Sequence, residues 1–512
     1  MILELGNQEI EYVLSRHETG AGYAAAGYAL MNQTLGVSIG TSGPGGTNMV
    51  TAAGQAKAYH LPVLFLTGHA GAKVTGRPLG QDSTFFASDL VRMFEPVTLF
   101  SAMVERGDQL PVYLQHAFER AMYGVRGPVH LCIPYDVQTE LTPPFTIPIP
   151  KHRYTTVSTM LQEAYDWMER AKNPVLFLGK GVHISGAYAE VRQLAEQWNI
   201  PVITTPGGKG SFVSQHPLHA GPYGLGGCPE ARMVLESGID LLIAVGTKLS
   251  DMSVPGFTDD MVPQRIIHFD VERTFVGKSF PSETLFIQGD AKRNIEELLA
   301  LVPAEHKAAS QPVRAERSHG GESSSGDAIT AVEVMDVLGH TLPEDTLIFG
   351  DDGSHSYHAI RSLNIPRPGF FRFDDIFAAM GHAIGYSVGA QIAAPDRRIV
   401  ALTGDGCMFM HGTEISTAVN QQAPVLFVVL NNGRLDMVNK GMKHHTGRAD
   451  GTVYDVPLNV TAFAASMGAR TFSARTKPEF EEVLREALLI RETIVIEVLV
   501  DPEEIPPTLA RG

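Results

Sequence analysis

In the stretch "GDGCMFMHGTEISTAVNQQAPVLFVVLNNG", residues 404–433, a carboxylate and two carboxamides stand at the two ends of a largely apolar unit. Asp405 lies between Gly404 and Gly406, which permit a tight turn and a close backbone approach to a ligand. Asn431 and Asn432 close the next apolar run, and 26 residues separate Asp405 from Asn432. Carboxylate and carboxamide oxygens are hard ligands suited to Mg²⁺, which accepts few protein ligands and completes its shell from phosphate and water. The intervening "GTEISTAV" reads as the start of a helix whose first-turn N–H groups are placed to receive phosphate. The plainer reading is an ordinary strand–helix–strand crossover with a turn Asp and a turn Asn. The paired asparagines and the phosphate-ready helix start favour the metal–diphosphate reading.

These residues need strands to carry them to one edge of a sheet. "RRIVALTGDG" and "PVLFVVLNNG" read as neighbouring buried strands, with "TLIFGDDG" and "ETIVIEVLV" as further strands of the same block, residues 328–512. Residues 1–150 show a similar rhythm, with "EIEYVLS", "TLGVSIGTSGPGG", "LPVLFLTG" and "GPVHLCIP" as strands and "ETGAGYAAAGYALM" as a small-residue helix. The Pro-rich "LTPPFTIPIPKHR" marks a crossing to a middle block, 155–302, with strands "NPVLFLGKG", "IPVITTPGGKGSF", "DLLIAVGTKLSD" and "RIIHFDVE". Several of these run into Gly, as Rossmann-like strands do, yet no full GxGxxG follows any of them. Residues 303–327, polar and Ser/Gly-rich, read as a linker. The expectation is an α/β protein of three doubly wound parallel-sheet domains with ligands at strand C-terminal ends.

Composition narrows the function classes. The 512-residue chain carries 40 basic against 56 acidic residues, a formal charge of −16. That excludes a generic nucleic-acid binder, which needs clustered basic charge. The three cysteines, Cys132, Cys228 and Cys407, show neither disulfide nor metal spacing, so a reducing cytoplasm is expected. Apolar runs are too short to span a bilayer, and the first residues lack the pattern of a signal peptide, so no membrane association is expected.

GDG followed, after a helix and a strand, by NN resembles the thiamin diphosphate motif of the 2-oxo acid decarboxylase and acetolactate synthase superfamily. The resemblance runs through all three blocks. It implies a metal held by Asp405, Asn432 and the carbonyl of Arg434, and a diphosphate against Gly404, Gly406 and Cys407, where the family's usual residue is Ser. "SRHETGAGYAAAGYAL" resembles the family segment bearing the acid that faces N1′ of the aminopyrimidine, which assigns that role to Glu18. The acid promotes the imino tautomer whose N4′ activates the thiazolium carbon. Without the resemblance, Glu18 would read as a helix N-terminal acid favoured by the dipole. "GTSGPGGTN" resembles the Gly-rich loop beside the pyrimidine, with Gly43 and Gly45. "FAAMGHAIGYSVGAQ" resembles the segment that bends the cofactor, implying Met380 as the wedge and the Ala378 carbonyl as acceptor from N4′. "FGDDGSHSY" places Ser354 and His355 at the diphosphate. The family pairs pyrimidine-binding and diphosphate-binding domains across a subunit interface, so a homodimer or homotetramer is implied.

Other segments depart from the family pattern. Little chain precedes "RHE", and the expectation is a first domain short at its start. Asp436 stands where acetolactate synthases have Gly, no Trp follows, and Leu99 replaces a Lys. His69, Gln81, Phe85, Met437, His444 and His445 are the candidate substrate-facing residues. FAD, which many acetolactate synthases bind without using it in catalysis, is a further cofactor the resemblance allows. Lys248 in place of the expected Arg counts against it. The implied activity is decarboxylation of a small 2-oxo acid followed by carboligation to a second carbonyl. Simple decarboxylation, another lyase reaction and a non-catalytic paralogue are the alternatives.

Overall fold

The computed structural model describes residues 2–149, 156–302, 328–456 and 458–507; the linker expected at 303–327 and the end of the Pro-rich crossing lie outside them. Among the described residues, every ladder is parallel and the strands fall into three sheets. The first contains β1 (Gly36–Gly40), β2 (Val63–His69), β3 (Ser101–Met103) and β4 (Val129–Pro134), in the order β1-β2-β4-β3. The second contains β5 (Pro174–Leu178), β6 (Val202–Thr204), β7 (His219–Pro222), β8 (Leu241–Val245), β9 (Arg265–Asp270) and β10 (Glu283–Gln288), in the order β10-β9-β8-β5-β6-β7. The third contains β11 (Leu347–Gly350), β12 (Phe371–Phe373), β13 (Ile399–Gly404), β14 (Leu426–Asn431), β15 (Arg470–Ala474) and β16 (Ile494–Leu499), in the order β12-β11-β13-β14-β16-β15.

The central strands are apolar throughout because helices cover both faces of each sheet. Every residue of β13 and β14 is buried, so a continuous hydrophobic run there is a requirement of the architecture. Five strands went unread in the sequence: β3, β7, β10, β12 and β15. The expected strand "EIEYVLS" is absent. Residues 10–15 form no ladder, and Ile10, Tyr12 and Leu14 are exposed, so its alternating pattern has no neighbouring strand to pair with.

The first and third domains share one apolar cluster, in which Tyr23, Ala26 and Phe65 meet Phe349, Tyr386 and Ile399. Its spine is the contact between the helices Glu18–Asn32 and His382–Ala393. Small residues make this possible. A Cβ at Gly389 would fall 1.8 Å from the Ala24 carbonyl oxygen, and one at Gly27 would fall 2.1 Å from that of Tyr386. Backbone therefore lies against backbone, and the acid-bearing helix is fixed to the third domain.

Candidate active site

The register of β13 on β14 pairs Gly404 with Leu430, so Asp405 and the asparagines emerge side by side at the C-terminal edge of the third sheet. The two asparagines divide their work. Asn431 donates to Glu497 Oε1 at 2.7 Å and to the Leu458 carbonyl at 3.0 Å, which locks the strand end. Asn432 Oδ1 is buried and has no hydrogen-bond partner among the described residues. Asp405 accepts from the Gly433 N–H at 3.0 Å. Burial pushes its carboxyl up to about 6, against the opposing effect of the Gly406 and Gly433 N–H groups. A buried carboxylate beside an orphaned carboxamide oxygen is costly unless a cation uses both. This donor set fits Mg²⁺.

One cavity collects most of the expected cofactor residues: Gly404, Asp405, Gly406, Cys407, Asn432, Arg434, Ser354, His355 and Met380, with Met437 beside them. The helix that opens onto it is Asp405–His411, beginning directly at GDG. The phosphate-receiving helix was expected at "GTEISTAV". That segment instead starts a second helix, Glu414–Asn420, and its buried Glu414 carboxylate turns to the first domain. His355 is buried, which lowers it to about 4, and its Nε2 has no partner among the described residues. The cavity wall therefore carries a neutral imidazole with a nitrogen to spare.

Met380 follows a strained turn. Ala378, a non-glycine residue, has φ +56°, and Gly381 has φ +90°. Such a backbone persists only when its surroundings hold it. Here Gln55 of the first domain accepts from the Ala379 N–H at 3.2 Å, and Asp351 accepts from the Gly381 N–H at 2.7 Å.

Beneath this turn lies a buried cluster that the sequence reading passed over. His382 Nδ1 sits 3.4 Å from Asp351 and 3.5 Å from Asp352, and donates to the Ala379 carbonyl at 2.8 Å. Burial alone would depress His382, but the Asp351 and Asp352 carboxylates raise it to about 9. Burial lifts Asp352 well above the ordinary carboxylate range. Asp351 is already saturated by Gly381, Asp352 and Thr403 donors. The cluster is thus a buried ion pair supporting the turn. "DDG" and "MGH" are 29 residues apart, and the third-domain fold brings them together.

The first-domain residues form a separate group. Glu18 starts its helix and accepts from Asn48 Nδ2 at 3.0 Å. Gly43, at φ +62°, lies against the backbone of Gln81, and Gly45 packs on Thr41. His69 ends β2 and bonds the Ala70 carbonyl, while Phe85 is exposed and its ring lies tilted against that of Phe86. None of these lines the cavity, and neither does Ala378. His444 and His445 are exposed in the last turn of the helix Asp436–Thr446, away from it.

Sequence comparison adds a second line of argument. Three family profiles match in order: "Thiamine pyrophosphate enzyme, N-terminal TPP binding domain" over residues 1–89, the "central domain" over 161–298, and the "C-terminal TPP binding domain" over 351–498. A probable acetolactate synthase large subunit of Methanocaldococcus jannaschii is 31% identical, over 99% of this chain and 88% of that protein. The chain belongs to the thiamine pyrophosphate enzyme family. Among other relatives, the acetolactate synthase large subunit of Corynebacterium glutamicum is 33% identical over 84% of this chain and 70% of its own length. The Escherichia coli acetolactate synthase isozyme 1 large subunit is 28% identical over 98% and 90%. The GDG motif lies within the span matched by the C-terminal TPP binding domain, and Glu18 within that matched by the N-terminal one. Among the described residues, none from the first domain lines the GDG cavity. His17, next to Glu18, packs its ring against His411 at the far end of the helix Asp405–His411, 6.1 Å between centroids. Asp405 is six residues back, ~9 Å along that helix at 1.5 Å per residue.

Proposed function

We propose that this protein is a thiamin diphosphate- and Mg²⁺-dependent enzyme that decarboxylates a 2-oxo acid and joins the product to a second carbonyl compound, as an acetolactate synthase does. The observation that carries the reading is the pairing of Asp405 with the orphaned Asn432 oxygen at the mouth of the GDG cavity. When bound, thiamin diphosphate supplies the carbanion chemistry of both decarboxylation and ligation.

The chain's own residues bind and orient. Asp405, Asn432 and the Arg434 carbonyl would hold the metal, while the main chain at Gly404, Gly406 and Cys407, with Ser354 and His355, would hold the diphosphate. Met380 and the Ala378 carbonyl, on the turn held by Gln55 and Asp351, would fix the two rings. Glu18 would hold the proton at N1′, with Gly43 and Gly45 allowing the pyrimidine to approach the backbone. No first-domain residue lines the cavity. We therefore place Glu18 of a second copy over it, making a homodimer the smallest active unit and a tetramer compatible. His69, Gln81 and Phe85 would then face substrate beside Met437.

A small 2-oxo acid in a reducing cytoplasm completes the proposal, in keeping with three unpaired cysteines. Among the described residues no helix is long and apolar enough to cross a membrane. A second cavity, at the C-terminal ends of β5, β8 and β9, contains Lys180, Lys248 and Asp270 and is the place a flavin would occupy. The visible absorbance of purified protein tests that directly.

The activity test is incubation with cofactor, Mg²⁺ and a panel of 2-oxo acids, measuring CO₂ and acyloin together. Both products support the carboligase. CO₂ alone makes the protein a simple decarboxylase, and failure to bind thiamin diphosphate would remove the enzymatic reading.

A further inference from the structure

The segment that delivers Glu18 is not itself part of a sheet. From Ile10 to Leu14 it is exposed and irregular, and it gains a fixed position only at Arg16 and His17. Both main-chain N–H groups there donate to one side chain, Glu414 of the third domain. Arg16 N lies 3.1 Å from Oε1 and 3.4 Å from Oε2, and His17 N lies 2.9 Å from Oε1. Glu414 is 2% exposed, and its Oε2 also accepts from Thr417 Oγ1 at 2.6 Å. Beside these bonds Arg16 Nε donates to Ser416 Oγ at 3.0 Å. Gly20, one turn into the acid-bearing helix, leaves the space the carboxylate needs, since a Cβ there would fall 2.3 Å from Glu414 Oε1.

A carboxylate buried this deeply is tolerated only when charged-group hydrogen bonds replace its water. Here two of its three donors are backbone amides from the two residues that precede Glu18. What they fix is therefore the direction in which the chain enters the helix, and with it the Cα–Cβ vector of Glu18. The Glu18 side chain has its own bond to Asn48, which steadies its tip but not its root.

We propose that Glu414 is a positioning residue for the proton-holding Glu18, acting through the Arg16 and His17 amides. It holds the acid of the pyrimidine-binding domain in a set direction for the cofactor site of the second copy. The inference rests on the reading of Glu18 as that acid, and the test separates the two.

Glu414→Ala, Glu414→Gln and Glu18→Gln proteins are compared in three measurements. Amide hydrogen exchange of the cofactor-free protein follows the peptide around residue 16. Calorimetric titration gives thiamin diphosphate affinity. Rapid-quench proton NMR gives the rate at which bound cofactor exchanges its C2 proton for deuterium, which needs no knowledge of the substrate. For Glu414→Ala, loss of bonds to a charged acceptor predicts amide exchange about tenfold faster at Arg16 and His17 and C2 exchange about tenfold or more slower. Cofactor affinity should stay within about threefold, because none of the cavity residues is altered. Glu414→Gln keeps an acceptor oxygen and should recover most of both rates. Glu18→Gln should lose C2 exchange while the Arg16 and His17 amides stay protected.

Wild-type C2 exchange in Glu414→Ala, alongside an inert Glu18→Gln, overturns the positioning role and leaves the acid in place. Deprotected amides with unchanged C2 exchange do the same, reducing Glu414 to a structural tie. Wild-type C2 exchange in Glu18→Gln removes the acid reading, and with it this inference. If Glu414→Ala does not fold, Glu414→Asp decides, because its shorter side chain cannot span both amides and must show the same losses.

Discussion

Replacing His382 by Gln should destabilise the third domain by an amount that falls strongly as pH rises. The residue is 2% exposed and its Nδ1 faces two carboxylates at 3.4 and 3.5 Å. Its proton is held to about 9, against an ordinary value of 6.5. A folded-state value above the unfolded one means that the imidazolium contributes stability fully below pH 6.5 and loses it as pH rises through about 9. At 1.36 kcal/mol per unit, the contribution is about 2–3 kcal/mol at pH 7, about 1 at pH 8 and well under 1 at pH 9. Glutamine preserves a donor to the Ala379 carbonyl but leaves Asp351 buried without its cation, so the deficit should follow that curve. For a domain of this size each kcal/mol shifts Tm by about 2–4 °C, giving a drop of about 5–10 °C at pH 7 that nearly closes at pH 9. Calorimetry is the right assay, because both tryptophans, Trp167 and Trp198, lie in the middle domain and would not report the transition. A Tm gap that is absent at pH 7, or equally large at pH 6 and pH 9, would refute the buried ion pair.

Three further outcomes follow from the same geometry. Glu18→Gln should lower turnover about 10²–10⁴-fold, the usual contribution of a positioned proton donor, while thiamin diphosphate still binds; turnover near wild type would reassign the acid. Asn432→Ala should weaken Mg²⁺ about tenfold or more, as loss of a ligand to a charged partner does, seen as a higher metal requirement in cofactor-binding titrations; an unchanged requirement would remove Asn432 from the metal. Gly389→Ala should cost about 3 kcal/mol or more and loosen the first domain from the third, because its Cβ meets backbone that cannot move aside. Limited proteolysis between the two domains, compared with wild type, reads this out.

The sequence was most legible where burial is two-sided. The strands recognised from apolar runs include every strand in the interior of a sheet, such as β13 and β14. The five passed over are all at edges: β3 in the first sheet, β7 and β10 in the second, β12 and β15 in the third. An edge strand has one neighbour and a half-exposed face, so "RTFSA" and "HAGP" carry no hydrophobic run to notice. "EIEYVLS" fails for the converse reason, having strand composition but no ladder. The placing of Asp405 and Asn432 at adjacent strand ends could be read because a single crossover joins them. The Asp351–Asp352–His382 cluster and the Glu414 contact could not, because each depends on how separate elements pack.

Packing also explains the departures after the paired asparagines. Asp436 stands where a substrate-shaping difference was expected, yet its carboxylate is buried between Ser354 Oγ and Lys440 Nζ. Lys440 in turn donates to the Glu504 carbonyl, and the Glu504 side chain takes the N–H groups of Ala331 and Val332. A charge at position 436 thus ties the diphosphate loop, the helix Asp436–Thr446 and the end of the chain into one unit. Cys407, in the cavity wall, is tied similarly, its thiol donating to the Asp352 carbonyl at 3.1 Å. Leu99, in place of a lysine, packs against the first-domain core that contains Leu64, Val129 and Leu131 and leaves no charge to compensate. These substitutions are absorbed by neighbours that match them, so they stabilise the frame around the cofactor. In the proposed homodimer, the choice of substrate would be left to the faces that two copies bring together, where Phe85 and Gln81 of one would meet Met437 of the other.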